Sequence, residues 1–294
     1  MGSSFLASWR EAWERPVSPV PLAAFRTLFG LFLFFYFLSK LSRVPIDFSQ
    51  EGVYLPFVLR DFAPPVLLAW GIYVLTLTAT VLFTMGLFVR FVVPLTLCLF
   101  LHHYLIGLAA DEASYDRLII LCLVILSFAP SYTSLRDTIS PWAQRLLCFQ
   151  ISIFYVSAGL AKTVNPAWRD GAFLVDNLGG IWGTSLAYWF VGLAVPLWVY
   201  DILTWGAIAV EVFIGVGLYV KQLRWVAILS GIFLHGSIAI LFDIPQFFVY
   251  WAGYVLFLEP EDIGRFLPAR LLRTRSSVRS RPAEAADAVA VASR

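Results

Sequence analysis

A lysine, a tyrosine and two small residues share one face of a candidate helix near the middle of the chain. In the run QISIFYVSAGLAK, Tyr155, then Ala158 or Gly159, and then Lys162 follow one another at helical spacing. This places a phenol, a space left by small side chains and an amine on one side of the helix. Desolvation can supply a neutral lysine amine that acts as a base or nucleophile, whereas a lysine at the end of an apolar helix often only snorkels to the interface. The spacing therefore predicts either a catalytic base or an interfacial anchor at Lys162.

Other ionisable residues fall inside apolar runs, where a charge costs between about 2.5 and more than 10 kcal/mol unless it has a partner. These residues are Arg26, Glu211 and His235, and Asp243 closes the same run as His235. We expect Arg26 or His235 to lie within hydrogen-bonding or water-bridged reach of Glu211. Such a pair either fixes helix packing or polarises a substrate and relays protons.

The remaining candidate ligands do not form a metal pattern. His102 and His103 are adjacent and point about 100° apart on a helix, so both cannot bind one metal ion comfortably. Cys98, Cys122 and Cys148 lie in or beside apolar runs without CxxC spacing. The sequence therefore predicts no metal site and no disulfide framework.

The elements that must position these residues are membrane helices. Of the 294 residues, 60% are hydrophobic and only 14% are charged, which excludes an ordinary soluble domain. The net charge of +2 gives no reason to expect a nucleic-acid partner. We expect an all-α integral membrane protein in the lipid bilayer, a bundle of about eight transmembrane helices with one interfacial or re-entrant apolar segment, Ile181 to Val199. The eight predicted spans are Pro21 to Leu38, Val66 to Leu87, Phe91 to Leu108, Tyr115 to Ala129, Leu146 to Ala161, Ile202 to Val220, Trp225 to Phe242 and Phe247 to Leu258.

Lysine and arginine divide unevenly between the two sides of such a bundle. One side receives fourteen of them and the other side six, so the positive-inside rule places both termini in the cytoplasm of a multi-pass protein of the bacterial inner membrane. We expect residues 1–19 to form an amphipathic lead-in, 20–262 the transmembrane domain and 263–294 a basic and then disordered tail. The outer side collects acidic residues and long loops, and is where we expect chemistry.

Longer stretches of the chain resemble a known family. They are SPVPLAAFRTLFGLFLFF, RLLCFQISIFYVSAGLAKTVNPAWRDG, AVEVFIGVGL and FLHGSIAILFDIPQFFVYWAGYVLFLEP. In this order they resemble the horizontally transferred transmembrane (HTTM) domain, the integral-membrane part of vitamin K-dependent gamma-carboxylase. The resemblance implies that Lys162 stands where the carboxylase keeps the base of vitamin K hydroquinone epoxidation.

The resemblance and the buried polar residues together give a candidate site. Its catalytic residues would be Lys162, Tyr155, His235 and Glu211, its substrate-binding residues Arg26, Gln150, Trp168 and Asp243, and its cofactor a quinol such as reduced vitamin K. Two departures from the carboxylase matter here. The loop DEASYDR lacks the histidine that the carboxylase carries before its fourth helix, and we expect no large extramembrane domain to follow residue 262.

Three functions remain open from the sequence. The first is a membrane enzyme that acts on a quinol-like lipid or matures a secreted peptide, with Lys162 as general base at the outer interface. The second is a non-catalytic assembly, peptide-maturation or export factor, whose partner is a small secreted peptide or a separate extramembrane protein. A transporter is disfavoured because the sequence has no convincing inverted repeat.

The charge distribution predicts the topology directly. Reporter fusions at residues 139 and 281 should both report a cytoplasmic location, because the lysine and arginine excess surrounds both positions. A periplasmic signal at 281 together with a cytoplasmic signal at 139 would mean that Ile181 to Val199 crosses the membrane.

Overall fold

The chain forms a helical bundle whose long helices match most of the predicted spans. The computed structural model describes residues 10–11, 13–52, 62–107, 114–132 and 134–265, and the expected tail beyond residue 265 lies outside them. Six described helices are long and apolar enough to cross a membrane. They are α1 (Val20–Ser39), α3 (Val66–Met85), α4 (Val89–Ile106), α6 (Trp142–Val164), α9 (Leu197–Gly217) and α10 (Arg224–Phe242).

Shorter helices lie between and after the long ones. Besides the 3-10 turns, they are α2 (Val44–Asp47), α5 (Ser114–Ser127), α7 (Ala172–Leu178), α8 (Ser185–Gly192), α11 (Val249–Tyr254) and α12 (Pro260–Gly264). Proline sets the beginning of several long helices. Pro65, Pro141 and Pro196 directly precede α3, α6 and α9, where a residue without a backbone N–H costs no helical hydrogen bond.

Two of the eight predicted spans form helices that are short for a crossing. The fourth predicted span contains α5, which has 14 residues. The eighth is a continuous helical run over residues 245–257, in which α11 lies between two 3-10 turns. The count of eight spans therefore stays a prediction, while six spans satisfy both length and composition.

The apolar stretch Ile181 to Val199 does not form a full-length span. Its helix α8 has only eight residues, and α9 begins within the stretch at Leu197. Thr184, which caps α8, is bound to the end of α10: its backbone N–H donates to Leu241 O at 3.0 Å and its hydroxyl to Ile240 O at 2.8 Å. This segment thus folds against one end of the bundle.

The first and last described segments lie at the same end of the bundle. Val17 pairs with Ile139 in an isolated antiparallel bridge, and Val20 and Ile263 line one cavity. Gln144 at the start of α6 donates to Leu256 O at 2.8 Å. We call this the N-terminal end. Helix α6 runs from here to the opposite end over 23 residues, or about 35 Å.

Glycines let neighbouring helices approach closely at two positions that matter for the site. A Cβ at Gly159 of α6 would lie 2.7 Å from Val212 Cγ2 and 3.1 Å from Ile208 O of α9. A Cβ at Gly231 of α10 would collide with the phenol of Tyr254, with its Cζ at 2.5 Å. Small residues at helix contacts are the usual means by which membrane helices pack closely.

The contact at Gly231 predicts a mutational effect that a second glycine on the same helix should lack. Gly231→Ala should destabilise the protein by about 1–3 kcal/mol, because the added methyl group occupies the space of a buried tyrosine. Gly236→Ala is the matched control, since its added Cβ would meet only Trp251 Cζ2 at 3.7 Å. Thermal unfolding of both variants in detergent measures the difference. Equal midpoints for the two variants would contradict this packing.

Candidate functional site

The central feature of the site is an ion pair between two transmembrane helices. Lys162 Nζ of α6 donates to both carboxylate oxygens of Glu211 of α9, at 2.8 and 2.6 Å. A long hydrogen bond to Ala158 O, at 3.5 Å, takes a further N–H of the ammonium. The side chains of Lys162 and Glu211 are only 19% and 11% exposed. The lysine therefore points back into the bundle and does not snorkel outward.

The close packing of α6 on α9 places the two charges opposite each other. Gly159 lies against α9, and Lys162 follows three residues later on the same face of α6. Glu211 lies well inside α9, six residues before Gly217. The Lys162 side chain extends towards the preceding turn of α6, where its ammonium also donates to Ala158 O. It therefore meets the carboxylate inside the bundle and not beyond the end of α6.

A tryptophan covers the ammonium from the loop that follows α6. The Trp168 ring centroid lies 5.0 Å from Lys162 Nζ, within the range of a cation–π interaction. The 3-10 turn Pro166–Trp168 holds this ring in place, and the Asn165 side chain caps the turn by accepting from Ala167 N at 3.0 Å. The pair is thus covered by an aromatic face on its loop side.

A chain of buried aromatic polar groups lies two helical turns below Lys162. The Tyr155 hydroxyl is hydrogen bonded to His235 Nε2 at 2.6 Å and also to the Tyr254 hydroxyl. The His235 ring stacks on Tyr250 and on Phe247, with centroid distances of 4.7 and 5.5 Å. Tyr155, His235 and Tyr254 are each 3% exposed. His235 Nδ1 is buried and makes no hydrogen bond within the described residues.

The ion pair and this aromatic chain lie along the same contact between α6 and α9. Tyr155 lies two turns before Lys162 on α6, and a Cβ at Gly215, one turn after Glu211 on α9, would lie 3.2 Å from Tyr155 Cβ. The five residues therefore form one polar cluster inside an apolar bundle, which we call the Lys162 cluster: Tyr155, Lys162, Glu211, His235 and Tyr254.

The structure brings together most, but not all, of the residues predicted from the sequence. Lys162 lies against Glu211 and Trp168, and Tyr155, two turns away on α6, lies against His235. Glu211 pairs with Lys162, and no hydrogen bond joins it to Arg26 or His235 within the described residues, so the expected water-bridged reach to one of them stays a prediction. Arg26 instead donates from Nη1 to the Tyr132 hydroxyl at 2.9 Å, at the N-terminal end of the bundle.

Besides Arg26, two further predicted substrate-binding residues make no contact with the cluster among those described. Gln150 is half-buried on α6 before Tyr155. Asp243 is exposed and ends α10 with a left-handed backbone, at φ 50°. Neither has a hydrogen bond to the Lys162 cluster within the described residues, so their proposed roles stay predictions.

Sequence reasoning missed Tyr254 and Tyr250. Both lie in the run FVYWAGYVLF, where two tyrosines four residues apart share one helix face at membrane depth. A phenol in that position needs a hydrogen-bond partner, and this need was the available signal.

The described residues contain no group of three His, Cys, Asp or Glu side chains that could hold a metal ion. His103 is fully buried, and its Nε2 is hydrogen bonded to Thr76 Oγ1 at 2.9 Å. The small residues beside Lys162 also predict a cavity between the helices near the outer interface, and this stays a prediction because the two cavities described have other lining residues.

Comparison with known proteins identifies the family of the chain. A family model described as the HTTM domain matches residues 14–261, a stretch that holds both partners of the ion pair and the whole Lys162 cluster. No curated protein and no solved structure matches the chain. Because the family model covers most of the sequence, the chain belongs to the HTTM domain family of membrane proteins.

Proposed function

We propose that this protein is a membrane enzyme of the gamma-carboxylase-like HTTM family, in which Lys162 acts as general base on a quinol-like lipid. The observation that carries the proposal is the ion pair: Glu211 holds the Lys162 ammonium at 2.6 Å inside the bundle. A protonated lysine must transfer its proton to another group before it can act as a base. Glu211 is the group that would accept this proton.

The proposed step is a proton transfer in two parts. Within the pair, a proton moves from Lys162 Nζ to Glu211 Oε2, which leaves a neutral amine beside a neutral carboxyl group. Burial favours this exchange, because it removes two charges from an apolar surrounding. The amine then takes the proton of a quinol hydroxyl: the O–H bond breaks, an N–H bond forms and a quinolate anion remains. A quinol hydroxyl resembles a tyrosine phenol, with a pKa of about 10, so an amine is a reasonable base.

The surroundings of Lys162 suit a flat aromatic substrate. The Trp168 ring already lies over the ammonium, and it would offer a stacking surface to a quinol ring. Leu160 and Val164, on either side of Lys162 in the chain, are exposed large apolar residues of the kind that face lipid. Reduced vitamin K is the example of such a quinol that the family resemblance suggests. Tyr155 and His235 would relay protons, and Gln150 and Asp243 would contact the substrate.

The placement in the cell is part of the same proposal. Six apolar helices and the family match make this a multi-pass membrane protein. We place it in the bacterial inner membrane with both termini in the cytoplasm, because the arginine-rich end of the bundle carries the first and last described segments. The Lys162 cluster then opens towards the outer interface, where a small secreted peptide or an extramembrane protein would meet it.

One observation favours a second function, a non-catalytic assembly or peptide-maturation factor. The charged atoms of Lys162 and Glu211 satisfy each other, and Tyr155 is bonded on both sides. Polar residues that pair so completely are compatible with a purely structural role, in which they fix helix packing. A substitution that keeps the positive charge at residue 162 but removes the basic amine decides between the two functions.

Lys162→Arg separates these roles because arginine keeps the positive charge but does not deprotonate in a protein. We expect this variant to fold normally and to consume a reduced naphthoquinol in nanodiscs at least about 100-fold more slowly, since a general base contributes about 10²–10⁴-fold. Loss of the quinol under air, followed by chromatography, measures the rate. Lys221→Arg, at the N-terminal end of the bundle, is the matched control and should keep the wild-type rate. Full activity in Lys162→Arg would leave only the assembly function.

The ion pair also predicts a coupled effect on stability. Glu211→Gln should destabilise the protein by about 3–5 kcal/mol, because the ammonium is left without a counter-charge. The double variant Lys162→Met with Glu211→Gln should recover most of this loss. Unfolding by heat in detergent checks both. Glu259→Gln is the control, since the Lys221–Glu259 pair is 73% and 47% exposed and should contribute little. Additive losses in the double variant would mean that the two residues do not interact.

A further inference from the structure

A cavity of about 1150 Å³ opens at the N-terminal end of the bundle, far from the Lys162 cluster. Its walls come from the beginning of α1, the turn between α3 and α4, the segment after α5 and the beginning of α10. Two arginines, Arg26 and Arg90, line it, and none of its described lining residues is acidic. Five hydroxyl groups complete the polar part of the lining: Thr27, Ser127, Ser131, Tyr132 and Ser134.

The positive charge in this cavity is not neutralised by the described residues. Arg26 Nη1 donates to the Tyr132 hydroxyl at 2.9 Å, while its Nε is buried and has no hydrogen-bond partner among the described residues. No carboxylate pairs with Arg26 or Arg90 in the described part of the chain. Burial raises the pKa of the Tyr132 phenol, although the Arg26 charge acts in the opposite direction. Tyr132 therefore stays neutral and leaves the guanidinium charge uncompensated.

The backbone around Arg26 is shaped to hold its guanidinium group. Helix α3 ends at Gly86 with φ 73°, a left-handed conformation that favours glycine. A Cβ at this position would lie 2.9 Å from Arg26 Cζ. Glycine thus serves twice here, because it turns the chain and it makes room for the charged group.

The rest of the cavity is apolar and faces lipid. Leu22, Val93 and Leu126 line it from inside the bundle. Leu28, Phe128 and Trp225 also line it and are 40%, 75% and 48% exposed. A small inorganic anion would fill only the polar part and leave these walls uncovered, whereas a ligand with hydrocarbon chains would cover them.

We propose that this cavity binds an anionic glycerophospholipid. Arg26 and Arg90 would bind the phosphate, since a guanidinium group donates two parallel hydrogen bonds to phosphate oxygens. The serine hydroxyls would bind the rest of the headgroup, and the acyl chains would lie along the apolar wall towards Phe128 and Trp225. This lipid site is separate from the Lys162 cluster and does not depend on its activity.

Lipid titrations of the purified protein in a neutral detergent test the proposal. Phosphatidylglycerol should raise the unfolding midpoint at a lower concentration than phosphatidylcholine with the same acyl chains. In Arg26→Gln, the half-saturating concentration of phosphatidylglycerol should increase at least about tenfold, the equivalent of losing one strong charged contact. Lys221→Gln removes one positive charge from the same end of the bundle without touching the cavity, and it should behave like the wild type.

Several outcomes would overturn the lipid site. The first is equal stabilisation by the two lipids. The second is an equal change of the half-saturating phosphatidylglycerol concentration in Arg26→Gln and Lys221→Gln, which would mean that the lipid responds only to general surface charge. Stabilisation by inorganic phosphate at concentrations as low as those of the lipid would assign the cavity to a free phosphate compound. If Arg26→Gln does not fold, Arg90→Gln decides, because the Arg90 side chain is exposed. An unchanged half-saturating concentration in Arg90→Gln would then overturn the proposal.

Discussion

The ion pair between Lys162 and Glu211 is the interaction on which the rest of the site depends. Neither charge could remain at membrane depth alone, because an unpaired charge there costs several kcal/mol. The pair requires α6 and α9 to approach closely, and Gly159 permits that approach where a side chain would meet Val212 at 2.7 Å. Once the two helices are fixed in this way, Tyr155 on the same face of α6 is directed into the bundle, where His235 and Tyr254 are its partners. One electrostatic requirement thus determines the rotation of a helix and the position of a phenol two turns away.

The same requirement shapes the chemistry that the site can perform. A lysine that makes two charged hydrogen bonds is stable but not reactive, because its lone pair carries a proton. Reactivity requires that proton to move, and the carboxylate at 2.6 Å offers it a short path. A quinol that bound beside Trp168 would exclude water from the pair and make the neutral form of the pair more favourable. The stabilising role of the pair and the proposed catalytic role are therefore compatible, because the second requires only that a substrate reaches the amine.

Much of the fold could be predicted from the sequence, because a membrane span needs only an apolar run of sufficient length. The face shared by Tyr155 and Lys162 was also predictable from helical spacing within one segment. The partner of Glu211 was not, since Arg26, His235 and Lys162 all lie at plausible depths and the choice depends on how each helix is rotated against its neighbours. Tyr254 was missed for a related reason: its segment, residues 245–257, is short and partly 3-10, so the regular period was a weaker signal there than the need of a buried phenol for a partner.

The two ends of the bundle differ in whether a buried or partly buried positive charge has a carboxylate partner, and this difference separates their proposed roles. At Lys162 a carboxylate on the neighbouring helix matches the charge, so the pair is neutral overall and has no need of an anion. At Arg26 the only described hydrogen-bond partner is a neutral phenol, and a buried N–H remains unsatisfied. A partly buried cation without a counter-charge is unfavourable in an isolated chain and becomes favourable when an anion from the surroundings joins it. In a bilayer, the most abundant anions at that depth are lipid phosphates, so the membrane itself would supply the negative charge that the described residues do not provide for Arg26.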